Sequence, residues 1–245
     1  MKMRKKAAIA VTILTFAVMA VSCGTSTEVK RTTTGDAKTE SPDQKSQDKQ
    51  PLVIADSGYT ILPADSIGQV YATYAVALQN PNTKSVPSFW ELTTTVKAPD
   101  GSVLGTEDQY IPSIAPGTTI YMSGDTVDCK GHTDAMMEFA VSGSEYDSVL
   151  ASHKVSDKDF AADNVNFIDD EISPGVTGEI TNNSDKDATN VVVYIVFKKG
   201  GKPVGGGMTY IQNLPKGGKA PFEYSMFSSV PEHDEIAVSA YSADW

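Results

Sequence analysis

Cys129 and His132 are separated by two residues, which is the spacing of half a zinc site. A structural zinc site needs four ligands, and the sequence offers no second pair at this spacing. Asp125, Asp128 and Asp134 lie near, so a weak surface metal site is one alternative, and a reactive or intermolecular thiol is another. We predict no metal ligands, and we interpret Cys129 as a single thiol packed near the loop before the last strand of its domain.

Acidic residues cluster in three places between residues 157 and 171. An EF-hand loop needs acids at alternate positions, then Gly, then Glu at the twelfth position, and no such register occurs here. We interpret the clusters as a solvated inter-domain segment and a strand edge, with calcium bridging as the alternative. The acids are Asp157, Asp159, Asp163, Asp169, Asp170 and Glu171.

Nucleophilic catalysis requires a base that is oriented against a hydroxyl or thiol. His132, His153 and His233 lie in polar stretches that we expect to be exposed, and the chain has no G-x-S-x-G elbow. Three glycines at 205–207 lack the Lys-Ser/Thr pair and the helix of a phosphate loop, so they indicate a hairpin or a bulge. The sequence therefore predicts no catalytic residue and no cofactor.

Aromatic side chains could form a patch that stacks against carbohydrate. The candidates are Trp90, Tyr110, Tyr121, Tyr210 and Trp245. Trp90 begins an alternating apolar run over residues 90–96, so we expect it to be the buried core aromatic of its sandwich. The remaining candidates stay open at this point.

Composition and charge exclude several classes of protein. The 245 residues are 40% hydrophobic and 21% charged and include only 2 Cys, so collagen-like, disulfide-scaffold and wholly disordered chains are excluded. Four of the 20 bases lie in residues 1–22, which leaves 16 bases against 31 acids and a net charge of −15 for residues 23–245. Such a surface repels phosphate backbones, so we expect no nucleic-acid partner.

Residues 1–22 have the pattern of a secretory signal peptide. A basic start precedes 15 apolar-rich residues (7–21), fewer than the roughly 20 that a membrane-spanning helix needs. The stretch ends in Ala-Val-Ser-Cys at 20–23, which resembles the lipobox of bacterial lipoproteins, although Ala20 stands where Leu is usual. The resemblance implies that Cys23 receives a diacylglyceryl group and that the signal peptidase cuts before it. An ordinary cleaved signal or an uncleaved anchor is the alternative.

Residues 23–50 read as a lipidated cysteine followed by a disordered linker. Only Val29 and Ala37 are apolar between residues 24 and 50, so little can offset the entropy of ordering this segment. A flexible coil of this length spans about 30 Å. The linker would carry a globular part away from the lipid headgroups.

From residue 51 onward, apolar side chains recur at every second position. In residues 70–78, Val70, Tyr74 and Leu78 fall on one face, which predicts a strand with one face on a core and the other in water. The run 191–197 is apolar on both faces, as expected of a central strand. Short strands between Pro, Gly and Asn turns predict a β-sandwich.

The two halves of this region match each other. Asn80 aligns with Asn182 at an offset of 102, Tyr110 aligns with Tyr210 at an offset of 100, and later segments align at 97. The order of the matches is the same in both halves, and small loop insertions account for the drift. The pattern indicates an internal duplication of a unit of about 100 residues.

Turn signatures connect these units with a known type of domain. They are Asn-Asn-Ser at 182–184, Asp-Gly at 100–101 and Pro-Gly at 116–117. In this order they resemble the FxLYC-type and related immunoglobulin-like domains of bacterial surface lipoproteins, although neither copy has the cysteine that names the motif. The resemblance implies binding or adhesion modules without catalytic residues. We therefore predict an all-β fold of two tandem immunoglobulin-like β-sandwiches, at 51–153 and 154–245.

Together these features predict a non-catalytic surface lipoprotein on the extracytoplasmic side of the cell membrane. Its membrane contact would be the lipid anchor at Cys23, and its domains would bind or space an envelope polymer or a partner protein. A solute- or metal-binding accessory lipoprotein is the second hypothesis, and it requires a concave pocket with convergent polar groups. An envelope hydrolase is the third, and it requires a cluster of perturbed titratable groups.

Overall fold

Strands form where apolar and polar side chains alternate, and they end at Gly, Pro and Asn turns. The computed structural model describes residues 48–146, 154–226 and 229–243, and every regular element in these ranges is a β-strand, which confirms the predicted all-β fold. The described residues contain no helix that is long and apolar enough to cross a membrane. The strands are β1 (Val53–Ile61), β2 (Tyr71–Gln79), β3 (Pro87–Ser88), β4 (Trp90–Lys97), β5 (Val103–Ile111), β6 (Thr119–Asp128), β7 (Met136–Ser142), β8 (Glu145–Tyr146), β9 (Phe160–Ile168), β10 (Gly175–Asn182), β11 (Ala188–Lys199), β12 (Lys202–Leu214), β13 (Lys219–Ser225) and β14 (Glu235–Ser242).

The first half is a sandwich of two antiparallel sheets. One sheet has the order β1-β2-β6 and the other has the order β5-β4-β7, while β3 and β8 form a separate short pair. Side chains from the inner faces of both sheets share one core, which includes Tyr74 and Leu78 from β2 and Trp90 and Leu92 from β4. The predicted core face of β2 and the predicted burial of Trp90 are therefore confirmed.

The second half repeats this arrangement. Strands β9, β10 and β13 form one sheet in the order β13-β10-β9, and the other sheet has the order β12-β11-β14. Val193, Ile195 and Phe197 of the central strand β11 are buried together with Phe222 of the facing sheet. Counted in chain order, β9 to β14 take the places that β1, β2, β4, β5, β6 and β7 take in the first half. The shared strand order agrees with the sequence match between the halves.

The matched asparagines show what the repeat preserves. Asn80 has no exposed surface, and its side-chain amide donates hydrogen bonds to the carbonyls of Ser85 (3.0 Å) and Ile114 (2.8 Å). Asn182 is equally buried and donates two corresponding bonds of 2.9 Å, to the carbonyls of Lys186 and Leu214. Each asparagine therefore connects the end of one strand to two other backbone segments, and these bonds satisfy a buried polar group.

The two sandwiches pack face to face within one compact unit. Strand β12 of the second half lies across β1, β2 and β6 of the first half. Thr73, Ala75 and Ala77, on the outer face of β2, are consequently buried. The prediction that this face meets water is wrong, because the opposite sandwich covers it.

The glycines at 205–207 lie inside β12, at this interface. They form neither a phosphate loop nor a hairpin turn. The β11–β12 pairing has a register shift next to them, directly after Phe197, which pairs with Gly205. A Cβ added at Gly206 would lie 2.7 Å from the Cβ of Ser123 on β6 of the first half, as well as 2.2 Å from the carbonyl oxygen of Ile195 on the neighbouring strand. The Gly206 N–H donates to the hydroxyl of Thr73 (2.8 Å), and the Ser123 hydroxyl donates to the Gly207 carbonyl (2.7 Å). The run allows the backbones of the two halves to approach closely.

Residues 48–50 pack on the first sandwich, so the predicted linker does not continue as a free coil to residue 50. One carboxylate oxygen of Asp48 accepts bonds from the N–H and the hydroxyl of Thr83, both at 2.7 Å. The other oxygen accepts from the N–H of Ser85 at 2.9 Å. These bonds favour the ionised carboxyl and lower the pKa of Asp48 to about 2.

The start of the second half is also anchored. The N–H of Val155 donates to the carbonyl of Ser113 (2.8 Å), and its carbonyl accepts from Ala115 (2.9 Å). The Val155 side chain is buried in the core of the first sandwich. The predicted solvated inter-domain segment is therefore held in place at this point. Residues 147–153 lie outside the described residues, and the boundary at 153/154 and the immunoglobulin-like assignment stay predictions.

Candidate binding site at the junction of the sandwiches

Cys129 is a buried structural thiol. It follows β6, its side chain has no exposed surface, and its thiol donates weakly to the Val127 carbonyl at 3.7 Å. Burial, together with the negative charge of Asp128, raises the pKa of the thiol to about 11. The residue is packed in the core of the first sandwich.

The half zinc site is not completed. His132 Nδ1 lies 3.7 Å from a carboxylate oxygen of Asp134, while Asp128 pairs with Lys130. Within the described residues, no group of three or more His, Cys, Asp or Glu side chains is placed to hold a metal ion. Cys23, the predicted lipidation site, lies outside the described residues.

Acids of these clusters form a surface ion pair and hydrogen bonds within a turn. Asp163 lies on β9, 3.1 Å from the ammonium group of Lys219 on β13. A carboxylate oxygen of Asp170 accepts from the N–H groups of Ile172 and Ser173, both at 2.9 Å, and these bonds lower its pKa. Such bonds stabilise the turn between β9 and β10.

His233 is not in the exposed position that we predicted. Its Nδ1 lies 2.8 Å from the Pro231 carbonyl, and its ring centre lies 4.9 Å from Phe167 and 4.8 Å from Phe197. Since a carbonyl only accepts, Nδ1 carries the proton in this bond. The ring packs at the edge of the second core. His153 lies outside the described residues.

Two of the candidate aromatics remain exposed, at matching places in the two halves. Tyr110, on the outer face of β5, is 70% exposed, and Tyr210, on the outer face of β12, is 54% exposed. Their neighbours Ile111 and Ile211 point inward and are buried. The same alternation thus presents one tyrosine from each half. Trp245 lies outside the described residues.

Tyr110 lines a crevice that both halves build. Its opposite wall comes from the second half, where Val192, Tyr194 and Tyr241 line it. The rings of Tyr194 and Tyr241 lie 6.1 Å apart, and the Tyr241 hydroxyl accepts from the N–H of Tyr121 at 3.2 Å. We call this group, together with Pro112, Ser242 and Ala243, the tyrosine crevice. It connects the two sandwiches at the surface.

Tyr210 extends the tyrosine crevice along the second half. It pairs across the sheet with Val192, which lines the crevice. The hydroxyl of Tyr210 donates to the sulfur of Met208 at 3.6 Å, and Met208 is itself partly exposed. The surface therefore continues as an apolar strip from the crevice onto β12.

The chemistry of the tyrosine crevice suits a neutral ligand. None of the described residues that line it is acidic or basic. Burial raises the pKa of Tyr241 to about 12 and raises that of Tyr194 further, so both phenols stay protonated near neutral pH. Ring faces can stack on sugars or on apolar side chains, while phenol hydroxyls can donate hydrogen bonds.

The size of the tyrosine crevice limits how a ligand can bind. Its volume is about 50 Å³, below the several hundred Å³ of pockets that enclose small molecules. A ligand must therefore lie across the opening and contact Tyr110 and Tyr210 on its rim. This geometry suits an extended chain better than an enclosed solute.

Only part of this site is evident in the sequence. Tyr110, Tyr121 and Tyr210 are the aromatic candidates there, and Tyr194 and Tyr241 are not among them. Tyr194 lies in the run that is apolar on both faces, and this signal also fits a central strand. Tyr194 and Tyr241 were missed because their location depends on how the halves pack.

Comparison with known proteins assigns no relative. No family model matches the chain, and no curated protein matches it. The fold therefore defines its class as an all-β protein of the sandwich type, and the geometry of the site carries the functional argument.

Proposed function

We propose that this chain is a non-catalytic envelope lipoprotein whose tyrosine crevice binds an uncharged stretch of an envelope polymer. The observation that carries the proposal is the uncharged aromatic surface that Tyr110 and Tyr210 expose, one from each half, beside the crevice whose floor is formed by the largely buried rings of Tyr194 and Tyr241. Sugar rings and ring faces of tyrosine bind through dispersion and apolar contact, which need no charge on either side. A partner protein that presents apolar side chains is the second candidate.

The proposal also includes a membrane anchor at Cys23, on the extracytoplasmic side. The basic start, the apolar stretch and the lipobox-like segment at 20–23 support it. A linker over much of residues 24–47 would then place the crevice at a distance from the membrane. The domains would bind or space envelope material and would not cleave it.

Co-sedimentation of the full-length chain with insoluble envelope polysaccharide tests this proposal. We expect saturable binding, and we expect the double variant Tyr110→Ala/Tyr210→Ala to bind at least about tenfold more weakly, since aromatic side chains that a ligand covers can each contribute more than about 1 kcal/mol. The matched control is Tyr59→Ala, because Tyr59 is an exposed tyrosine on β1 that does not line the crevice.

Two results would contradict the proposal. One is binding that the double variant leaves unchanged, and the other is an equal loss in Tyr59→Ala. Hydrolysis of the polysaccharide by the purified chain would favour the envelope-hydrolase hypothesis instead.

A further inference from the structure

A second cavity lies at the junction of the halves, apart from the tyrosine crevice. The loop between β1 and β2, strand β6 and the end of β13 enclose about 330 Å³, which is enough for a small molecule. Its lining includes Leu62, Asp65, Tyr71, Asp125 and Met226. No residue of the tyrosine crevice contributes to it.

The base of this cavity is apolar. Leu62 is 5% exposed and Met226 is 3% exposed, and both pack in the core of the second half. Tyr71 is held at its hydroxyl, which donates to Gln69 at 2.6 Å. The walls therefore provide apolar and aromatic contact for the body of a ligand.

One carboxylate enters the cavity from the interface itself. Asp125 is partly buried between the halves, and one of its oxygens accepts from the Tyr224 hydroxyl at 2.7 Å. Burial raises its pKa, since the charged form loses water contacts. None of the ion pairs between described residues includes Asp125. Its charge is thus without a protein counter-ion in the described part of the chain.

The second acid of the lining is already bonded. One oxygen of Asp65 accepts from the N–H groups of Ile67 (2.9 Å) and Gln69 (2.8 Å), which shapes the loop. Both acids are negatively charged when ionised, and the described residues that line the cavity include no base. Within the described residues, these two acids are not part of any group of three or more His, Cys, Asp or Glu side chains placed to hold a metal ion.

We propose that this cavity binds a small alkylammonium ion, with Asp125 as its counter-ion and Leu62, Tyr71 and Met226 around its alkyl chain. The ammonium group supplies the missing charge and can donate up to three hydrogen bonds. Tyr71 adds an aromatic ring to the lining, and a cation is favoured where it can lie over the face of such a ring. This site is independent of the polymer binding proposed above.

Isothermal titration of the full-length chain in detergent with n-butylammonium tests the inference. We expect saturable binding of n-butylammonium and none of n-butanol or butyrate at the same concentrations. Equal binding of n-butanol would overturn the role of the charge, and absence of n-butylammonium binding would overturn the site. Displacement of n-butylammonium by equimolar Ca²⁺ would also overturn it, in favour of a metal site.

Variants test which carboxylate binds the ammonium group. Asp125→Asn keeps an acceptor for the Tyr224 hydroxyl and removes the charge, so we expect at least tenfold weaker binding. Asp108→Asn is the control, because Asp108 is an exposed acid on β5 bonded to Thr93, and we expect no change. A loss of similar size in both variants would show a nonspecific charge effect and overturn the assignment.

Further variants keep the test conclusive. If Asp125→Asn fails to fold, binding of n-butylammonium is measured with Asp65→Asn instead. We expect this variant to bind about threefold more weakly, and unchanged binding would overturn the inference. The Tyr110→Ala/Tyr210→Ala variant should bind n-butylammonium normally. Failure of the cation site and failure of polymer binding are therefore separate outcomes.

Discussion

At the scale of single residues, the thiol of Cys129 illustrates how burial decides chemistry. The sequence shows a lone cysteine near acids and a histidine, which suggests a reactive or metal-binding group. In the fold it has no exposed surface, and its pKa is about 11. The thiolate, which is the reactive form, is therefore scarce near neutral pH.

We expect iodoacetamide to label native Cys129 much more slowly than the same residue in urea, since both exposure and thiolate are lacking. Cys129→Ser should lower the free energy of unfolding by about 1–3 kcal/mol, because a hydroxyl replaces sulfur in an apolar site. Mass spectrometry and urea titration measure the two effects. Rapid labelling of the folded protein would show that the thiol is accessible.

Asp48 gives a pH dependence whose sign is fixed by its lowered pKa. In the folded chain its pKa falls from 3.8 to about 2, so the bonds to Thr83 and Ser85 contribute stability above pH 3.8. That contribution is lost as the pH falls through about 2. We expect the amide signal of Thr83 to titrate with a midpoint near 2, and to lose this transition in Asp48→Asn. A midpoint near 4 would mean that the carboxyl is not held by the turn.

At the scale of elements, the alternation of apolar and polar residues predicted where strands form. It did not predict what packs against their outer faces. The alternation in β2 and β4, the turn at Asn80 and its match at Asn182 follow from local rules on side-chain direction and turns. The burial of Thr73 does not, because alternation shows which side chains point away from a core but not what covers them. The small residues Ala75 and Ala77 on that face were the available signal.

The tyrosine crevice shows the same limit. Exposed Tyr110 and Tyr210 could be found as aromatics at matching positions, while Tyr241 joins them only because the halves pack together. The anchoring of Asp48 was missed for a related reason. A polar, charged segment is typical of a linker, and Thr83, which bonds to Asp48, lies 35 residues further along the chain.

Gly205 and Gly105 form a matched pair for testing the packing of β12. They are equivalent in the repeat, but a Cβ at Gly205 would lie 2.7 Å from Cγ of Pro231 in its own half and 2.8 Å from a methyl carbon of Thr73 in the first half, while a Cβ at Gly105 meets nothing within 4 Å. We expect Gly205→Ala to destabilise the protein by about 1–3 kcal/mol through overpacking, and Gly105→Ala to be close to neutral. Thermal unfolding compares the two. Equal effects would mean that β12 does not pack against the first half in solution.

At the scale of the whole molecule, two similar sandwiches act as one body. The sequence alone allowed either two related sites or one composite surface. The burial between β12 and the first half, together with the shared walls of the tyrosine crevice, favours the composite surface. Affinity would then depend on the arrangement of both halves rather than on avidity between two separate sites.

Anchoring at Cys23 is a prediction at this scale as well. Each buried CH₂ of an acyl chain contributes roughly 0.8 kcal/mol, and two chains hold a protein durably at a membrane. We expect Cys23→Ser to move from the detergent phase to the aqueous phase on phase separation. The chain supplies its own control, because Cys129→Ser should stay in the detergent phase. Retention of Cys23→Ser in detergent would indicate an uncleaved apolar helix.

The most direct test of the central claim is a tyrosine-ring NMR titration of the full-length chain with soluble neutral fragments of envelope polysaccharide. The proposed composite site predicts that the ring signals of Tyr110, Tyr210 and Tyr241 shift together and saturate at one concentration, while those of Tyr59 stay in place. Shifts confined to one half of the molecule, or to tyrosines outside the tyrosine crevice, would contradict it.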